Sequence, residues 1–124
     1  MVKFLQRSIV IEYGDTLPNW VTILSVKDKL KQQMLESQID KGESSAIALA
    51  LEFPTSVVIL DDDKARKIAR HLQINFTGTL GVIISAKLKG IIPSIRPLLQ
   101  KIRDTNFRIT NELEILALKE ANEF

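Results

Sequence analysis

The chain has 124 residues, 45% of them hydrophobic, and its 17 basic and 15 acidic residues give a net charge of +2. It has no cysteine, which excludes disulfides, thiolate catalysis and cysteine-based zinc sites. A net charge this small does not by itself indicate a nucleic-acid partner, and no apolar stretch approaches the roughly 20 residues that span a bilayer. These features predict one soluble, cytoplasmic domain that builds its core without covalent cross-links.

Apolar periods alternate between strand-like and helix-like along the chain, which is typical of an α/β fold. In the first half, the predicted elements are a helix over residues 2–12, a turn at 17–20, a strand over 20–26, a helix from Ser25 or Asp28 to about Ser37, and a helix that begins near Asp40 and ends before Pro54. The second helix has Leu30, Met34 and Leu35 as its apolar positions. In the third, which we expect to be largely buried, Asp40 and Glu43 have the spacing of a capping box.

The second half begins with a short all-apolar strand over residues 56–60, typical of a parallel sheet covered on both faces. The elements that follow are an amphipathic helix over 62–72, a strand over 74–76, a helix from Gly78 to Gly90, a proline-punctuated helix from Ile92 to Arg103, and a last helix capped by Thr110 or Asn111. The amphipathic helix should turn Ala65, Ile68, Ala69 and Leu72 inward. Helices between the strands predict crossover connections, with a site in the loops after the strands.

Three consecutive aspartates, Asp61–Asp63, follow the apolar strand directly. The first interpretation is structural, because an aspartate caps the next helix and another favours its dipole. The second is chemical, because three acids exceed what a cap needs and repel one another unless a cation binds. Glu43 has the same two interpretations, as a capping residue or as an acid of a site. Spacing alone leaves both open.

Basic residues gather at 64–71, 86–90 and 96–103, and this pattern also has two interpretations. A basic rim beside an acidic pocket suits a phosphate backbone, but charge alone favours ordinary helix faces. The turn Thr77–Thr79 offers Thr79 as an N-cap, and its backbone N–H groups also suit a phosphate. Capping is the favoured interpretation there. The single histidine, His71, argues against an acyl-transfer triad.

The order of these motifs is more specific than any one of them. The series "GE-xx-AIALA", "DD-KAR" and "TGTLG" runs through the segments 12–21, 40–52, 57–72 and 76–102. In this series the chain resembles the PIN-like family of uncharacterised bacterial and archaeal proteins related to VapC-type toxins, from Glu12 onward. The resemblance implies a Rossmann-like, three-layer α/β/α fold with a small, mainly parallel sheet, and a metal-dependent ribonuclease as the function.

The resemblance also implies the site residues. Glu43 matches the acid that opens a helix, Asp62 the acid after the next strand with Asp61 beside it, and Glu12 an earlier helix glutamate. These four would be the catalytic acids, and Glu43, Asp62 and Asp61 would hold Mg²⁺ or Mn²⁺ and activate a water that attacks phosphorus. The residues that would contact RNA are Thr77, Thr79, Lys64, Lys87 and Lys89.

The start of the chain departs from the family pattern. Family members open with a strand that ends in an aspartate, and Met1 lies only shortly before the Glu12 region. We therefore expect the first central strand and its metal-binding aspartate to be missing, which predicts an impaired ribonuclease. Open strand edges would then favour a homodimer or a rearranged sheet. The alternatives are a catalytically inactive module for dimerisation, RNA binding or antitoxin capture, and a truncated product without activity.

Overall fold

The computed structural model describes residues 18–124 and the backbone of Phe4–Leu5. The chain divides into two compact units, Met1–Thr77 and Gly78–Phe124. The first unit contains β1 (Phe4–Leu5), β2 (Thr22–Ile23), α1 (Lys29–Glu36), α2 (Lys41–Glu52), β3 (Val58–Ile59), α3 (Asp63–His71) and β4 (Phe76–Thr77). The second contains α4 (Thr79–Leu88), α5 (Arg96–Arg103) and α6 (Asn111–Glu120). Over the described part of the chain, none of these helices has the length and apolar character needed to cross a membrane.

The described strands form two parallel pairs, β1 with β2 and β3 with β4. In register, Phe4 lies opposite Thr22, Leu5 opposite Ile23, Val58 opposite Phe76, and Ile59 opposite Thr77. The segment β3–α3–β4 is therefore a crossover unit in which a helix joins two parallel strands, as predicted. Its second strand begins at Phe76, two residues later than predicted.

The predicted helix over residues 2–12 is wrong at Phe4–Leu5, which form β1. The remainder of that predicted helix lies outside the described residues. Backbone pairing with β2 is a tertiary interaction, and it overrides the helical apolar period that the local sequence shows. The expected loss of a first central strand and its aspartate stays a prediction.

Aspartate caps fix the starts of α1 and α2. The carboxylate of Asp28 accepts a hydrogen bond from the backbone N–H of Lys31 at 3.1 Å. The carboxylate of Asp40 accepts one from the backbone N–H of Glu43 at 2.8 Å. Each bond satisfies a donor that has no partner inside the helix, so both predicted starts are confirmed.

The buried face of α1 differs from the prediction. Leu30 and Met34 are 66% and 65% exposed, whereas Gln32 is buried. Only Leu35 of the predicted apolar positions packs against the core. At about 100° per residue, Leu30 and Met34 share one side of the helix and Leu35 lies more than a quarter-turn away, next to Gln32. The Gln32 amide donates a hydrogen bond to the Glu36 carboxylate at 3.1 Å, which makes its burial tolerable.

The core of the first unit forms where α2 and α3 meet β3. Ile47, Ala65 and Ala69 are fully buried, and Leu60 is 2% exposed. The two alanines lie four residues apart on one side of α3 and present little bulk there. Ile68 also packs on this core as predicted, whereas Leu72 is 39% exposed.

Among residues 18–124, the elements packed on β3 cover only one of its faces, which corrects the prediction of a strand buried on both faces. Val58 and Leu60 are buried, whereas Val57 and Ile59 are 60% and 55% exposed. Successive side chains of a strand point to opposite faces. The helical core of this unit therefore shelters every second residue, and the alternate apolar side chains remain at the surface.

The second unit packs α5 and α6 around Ile95, Leu99 and Ala117. Gly78 rather than Thr79 is the N-cap of α4, which corrects the prediction: the helix already includes Thr79, and no side chain caps it. At its other end Gly90 has a positive φ of 75°, a conformation that glycine adopts without strain.

The remaining two helices differ in how well the sequence predicted them. The helix predicted from Ile92 begins only at Arg96, because Pro93 disfavours helical torsions in the residue before it. In α6 the hydroxyl of Thr110 accepts a hydrogen bond from the N–H of Leu113 at 3.1 Å, so Thr110 is the cap, one of the two predicted residues.

Glu123 fastens the end of the chain to the start of α5. Its carboxylate accepts hydrogen bonds from the hydroxyl of Ser94 at 2.5 Å and from the backbone N–H of Ile95 at 2.7 Å. These two bonds lower the pKa of Glu123, and the nearby Lys87 ammonium adds to the effect. The carboxylate thus stabilises the amino end of a helix that has no side-chain cap of its own.

Candidate carboxylate site

Glu43 lies in the first turn of α2, and hydrogen bonds from side chains to the backbone hold this turn. Besides the Asp40 cap, the hydroxyl of Ser45 donates to the carbonyl of Gly42 at 2.6 Å, and that of Ser44 donates to the carbonyl of Ile39 at 3.4 Å. Both serines are fully buried. The turn is therefore anchored on its inner side, and the half-buried Glu43 carboxylate occupies a fixed place on the outer side.

The aspartates follow β3 at the point where the chain leaves the sheet. The backbone N–H of Leu60 donates to the carbonyl of Thr77 at 2.8 Å, which is the last rung of the pairing with β4. Asp62 then caps α3, and its Oδ2 accepts a hydrogen bond from the N–H of Ala65 at 3.0 Å. The capping interpretation of these aspartates is confirmed for Asp62. Asp61 and Asp63 are exposed beside it.

Charged residues of both segments affect the pKa of Glu43. The pKa of Glu43 is raised to about 7, first by burial and next by a side-chain hydrogen bond with Asp40. The negative charges of Asp40, Asp62 and Asp61 act in the same direction. Carboxylates from the start of α2 and from the end of β3 thus repel one another, although they are about 20 positions apart in the sequence.

The donor chemistry of this cluster suits a hard divalent cation. Carboxylate oxygens are the ligands that Mg²⁺ and Mn²⁺ prefer, and a cation would relieve the repulsion that raises the pKa of Glu43. Across residues 18–124, no three acidic or histidine side chains converge closely enough to hold a metal ion. Mg²⁺ commonly binds through one or two protein carboxylates and keeps several waters. Glu12, the fourth predicted acid, lies outside the described residues.

The residues predicted to contact RNA are divided between the two units. Lys64 is exposed in the first turn of α3, and Thr77 ends β4 in the first unit. In the second unit Thr79 is the first residue of α4, and Lys89 is exposed at the end of that helix. The ammonium of Lys87 donates to the carbonyl of Ala121 at 3.0 Å and lies 3.6 Å from the Glu123 carboxylate. Lys87 is therefore engaged in holding α4 to the end of the chain.

Arg66 is a residue of this region that the sequence analysis missed. Its Nε donates a hydrogen bond to the carbonyl of Leu60 at 2.7 Å, directly before Asp61. Its guanidinium and that of Arg70 lie 5.7 and 5.2 Å from the centre of the Phe76 ring. The signal for this cluster was present in the four-residue spacing of the two arginines and in the aromatic residue of the next strand.

The described helices and parallel strand pairs make this a small α/β protein, with acidic residues at the edge where β3 ends. A protein-family model described as PIN domain matches residues 9–123, nearly the whole chain. The chain therefore belongs to the PIN domain family, which confirms the predicted family and the small α/β fold class. No curated protein and no solved structure matches it significantly.

Proposed function

We propose that this protein is a divalent-metal-dependent ribonuclease that hydrolyses RNA phosphodiesters. The observation that carries the proposal is the pKa of Glu43, raised to about 7 by burial and by the charges of Asp40, Asp62 and Asp61. Carboxylates with shifted pKa values are often found at functional sites, where they bind cations or exchange protons. The membership of the chain in the PIN domain family supports a nuclease over other carboxylate chemistry.

The protein side chains have separate tasks in this proposal. Asp62 is fixed by its cap through Oδ2, and its Oδ1 has no hydrogen-bond partner within residues 18–124, which leaves that oxygen for a ligand. Glu43 has a pKa close to neutrality and is therefore suited to accept or release a proton at physiological pH. Asp61 and Glu12 are proposed to complete the acidic set. A bound Mg²⁺ or Mn²⁺ would supply Lewis-acid stabilisation of phosphoryl oxygens and a more acidic water.

Metal titration of the melting temperature tests this proposal. We expect Mn²⁺ at about 100 times its Kd to stabilise the wild-type protein by about 2.7 kcal/mol, because the ion binds only the folded chain. The variant Asp62→Asn should lose most of this stabilisation, since asparagine keeps the helix cap but not the charge. Asp28→Asn is the matched control, because Asp28 also caps a helix and has no part in the acidic edge.

Two results would contradict the proposal. One is a wild-type melting temperature that does not respond to Mn²⁺ or Mg²⁺ at any concentration. The other is an equal response in Asp62→Asn and wild type. A metal-dependent cleavage of single-stranded RNA that Asp62→Asn abolishes and Asp28→Asn retains would support it directly.

The second candidate function is a PIN module without catalytic activity, used for dimerisation, RNA binding or antitoxin capture. The observation that favours it is the cap of α3, because the carboxylate of Asp62 has a structural role there without a metal. RNA binding that is insensitive to metal, with no cleavage at any Mn²⁺ concentration, would select this function. The relation to VapC toxins, the antitoxin partner and the cytoplasmic location belong to the proposal as well.

We also propose that the protein forms a homodimer, and the exposed face of β3 supports this. Val57 and Ile59 are more than half exposed, and apolar side chains on a short strand favour association. We expect light scattering after gel filtration to give twice the 14.0 kDa mass of one chain. Ile59→Thr should raise the dimer Kd about tenfold, whereas Leu30→Thr, an equally exposed position of α1, should not. A monomer at all concentrations would contradict the proposal.

A further inference from the structure

Two arginines of α3 lie close to an aromatic ring of β4. The guanidinium carbons of Arg66 and Arg70 lie 5.7 and 5.2 Å from the centre of the half-buried Phe76 ring, within the range of a cation–π interaction. Arg66 is also tied by its Nε to the carbonyl of Leu60. Arg70 is exposed, and its guanidinium makes no hydrogen bond or ion pair within residues 18–124. We call Arg66, Phe76 and Arg70 the arginine stack; one of its arginines is anchored to the backbone and the other meets solvent.

The solvent side of α3 carries further positive charge without acidic partners. Lys64 and Lys67 are exposed, and none of the ion pairs within residues 18–124 includes either of them or Arg70. On α3 the only acid is Asp63, against the four basic residues Lys64, Arg66, Lys67 and Arg70, and none of the ion pairs within residues 18–124 includes Asp63. This side of α3 therefore attracts anions.

The arginine stack begins at the acidic edge. The carbonyl that Arg66 binds belongs to Leu60, and Asp61 and Asp62 are the next two residues of the chain. One end of a ligand bound along the arginine stack would therefore lie next to the carboxylates of Asp61 and Asp62. Planar arginine groups and aromatic rings bind the flat faces of nucleobases, and unpaired lysines bind phosphates.

We propose that Arg66, Phe76 and Arg70, with Lys64 and Lys67 beside them, form a binding surface for single-stranded polynucleotide next to the acidic edge. This inference deepens the proposed function and rests on it, since it says where the substrate strand lies. A base stacks on the outer face of the Arg70 guanidinium, and the phosphates follow the two lysines. Arg66 and Arg70 are positioning residues, because they hold the strand and do not touch the reacting phosphate.

An unstructured acidic peptide would meet the same charges but would have no flat rings for Arg70 to stack on. An anionic membrane would need a broad charged face with apolar side chains that insert into it, whereas the apolar side chains of α3 face the core. The arginine stack therefore favours a nucleic acid among these anionic partners.

Binding of a fluorescent single-stranded RNA in EDTA tests the inference, because no cleavage takes place without metal. For Arg70→Gln we expect weaker binding and a slope of log K against log salt that is shallower by up to about 0.7, because one positive charge beside the strand is lost. For Arg70→Lys we expect an unchanged slope and about three- to tenfold weaker binding, because an ammonium group keeps the charge but cannot stack. Arg70 is exposed, so both variants should keep the wild-type melting temperature.

Arg108→Gln and Arg108→Lys are the matched controls, since Arg108 is an exposed arginine of the second unit. They should leave both slope and affinity unchanged. The inference is overturned if the wild type does not bind the RNA, if Arg70→Lys binds like wild type, or if the Arg108 variants lose as much. It is also overturned if a poly-glutamate peptide or an anionic vesicle binds as tightly as RNA. RNA binding that depends on Arg70 in a protein insensitive to Mn²⁺ would retain this surface and reject the proposed nuclease.

Discussion

Replacing Glu43 by glutamine is expected to reduce RNA cleavage at least about 100-fold and, above pH 7, to make the protein more stable than wild type. Most substitutions that damage a structural residue lower activity and stability together. Glu43→Gln should instead lower activity and raise stability, because the charge of Glu43 is unfavourable in the folded protein. The cause is the position of its carboxyl group, partly buried and among Asp40, Asp62 and Asp61.

The pH dependence follows from the direction of this shift. The pKa of Glu43 is about 7 in the folded protein, compared with about 4.3 for an unperturbed glutamate. Between these values the folded chain holds a proton that the unfolded chain has released, so stability falls as pH rises from about 4.3 to about 7. With allowance for its partial contact with solvent, we expect this group to cost about 1 kcal/mol above pH 7.

Chemical denaturation of wild type and Glu43→Gln from pH 4 to pH 8 measures the effect. The two proteins should be equally stable at pH 4 and separate by about 1 kcal/mol at pH 8, with Glu43→Gln the more stable. Glu52→Gln, at the other end of α2, is the matched control and should show no such separation, because its carboxylate accepts the N–H groups of Lys27 and Asp28 rather than facing acids. A Glu43→Gln variant less stable than wild type at pH 8 would show that the charge is structural.

Truncating one buried isoleucine in each unit tests whether the chain folds as the single domain that its length predicts. Ile47 and Ile95 are both fully buried, one in each unit. We expect Ile47→Ala and Ile95→Ala each to lower the free energy of unfolding by about 2–5 kcal/mol, the usual cost of such a cavity. In a single cooperative domain, both substitutions should lower the melting temperature of the same unfolding transition.

Calorimetry on the two variants distinguishes the possible results. One transition in wild type, displaced downwards in both variants, is the expected outcome. Two transitions, with Ile47→Ala moving one and Ile95→Ala moving the other, would contradict the single-domain prediction. Leu30→Ala serves as the surface control, since Leu30 is 66% exposed and should change stability by less than about 0.5 kcal/mol.

Helix caps were the most accurate predictions from the sequence. Asp28, Asp40 and Thr110 all cap the helices assigned to them, because a cap depends on a side chain and a backbone group only three residues apart. Thr79 failed because Gly78 before it already satisfies the backbone requirements of the first turn. Interactions between residues this close in the chain can be predicted from a few residues of sequence.

Burial was predicted less well where it depended on a distant element. Leu30 and Met34 have the spacing of an apolar helix face, yet α1 packs through the side that carries Leu35 and Gln32. Val57 and Ile59 extend an apolar run, yet only the alternate residues meet the core. In each case the pattern marked an element correctly, but the neighbour that covers it determined which residues are buried.

The sequence by itself determined the order of helices and strands from β2 onward, the crossover from β3 to β4, and the PIN-like family, which the match over residues 9–123 confirms. These properties follow from periodicity, caps and motif order along the chain. Only the tertiary structure decided that Glu43 feels the charges of Asp61 and Asp62, and that Arg66 and Arg70 close on Phe76. Electrostatic repulsion and cation–π attraction depend on distance in space, and the packing of α2 and α3 on β3 sets those distances.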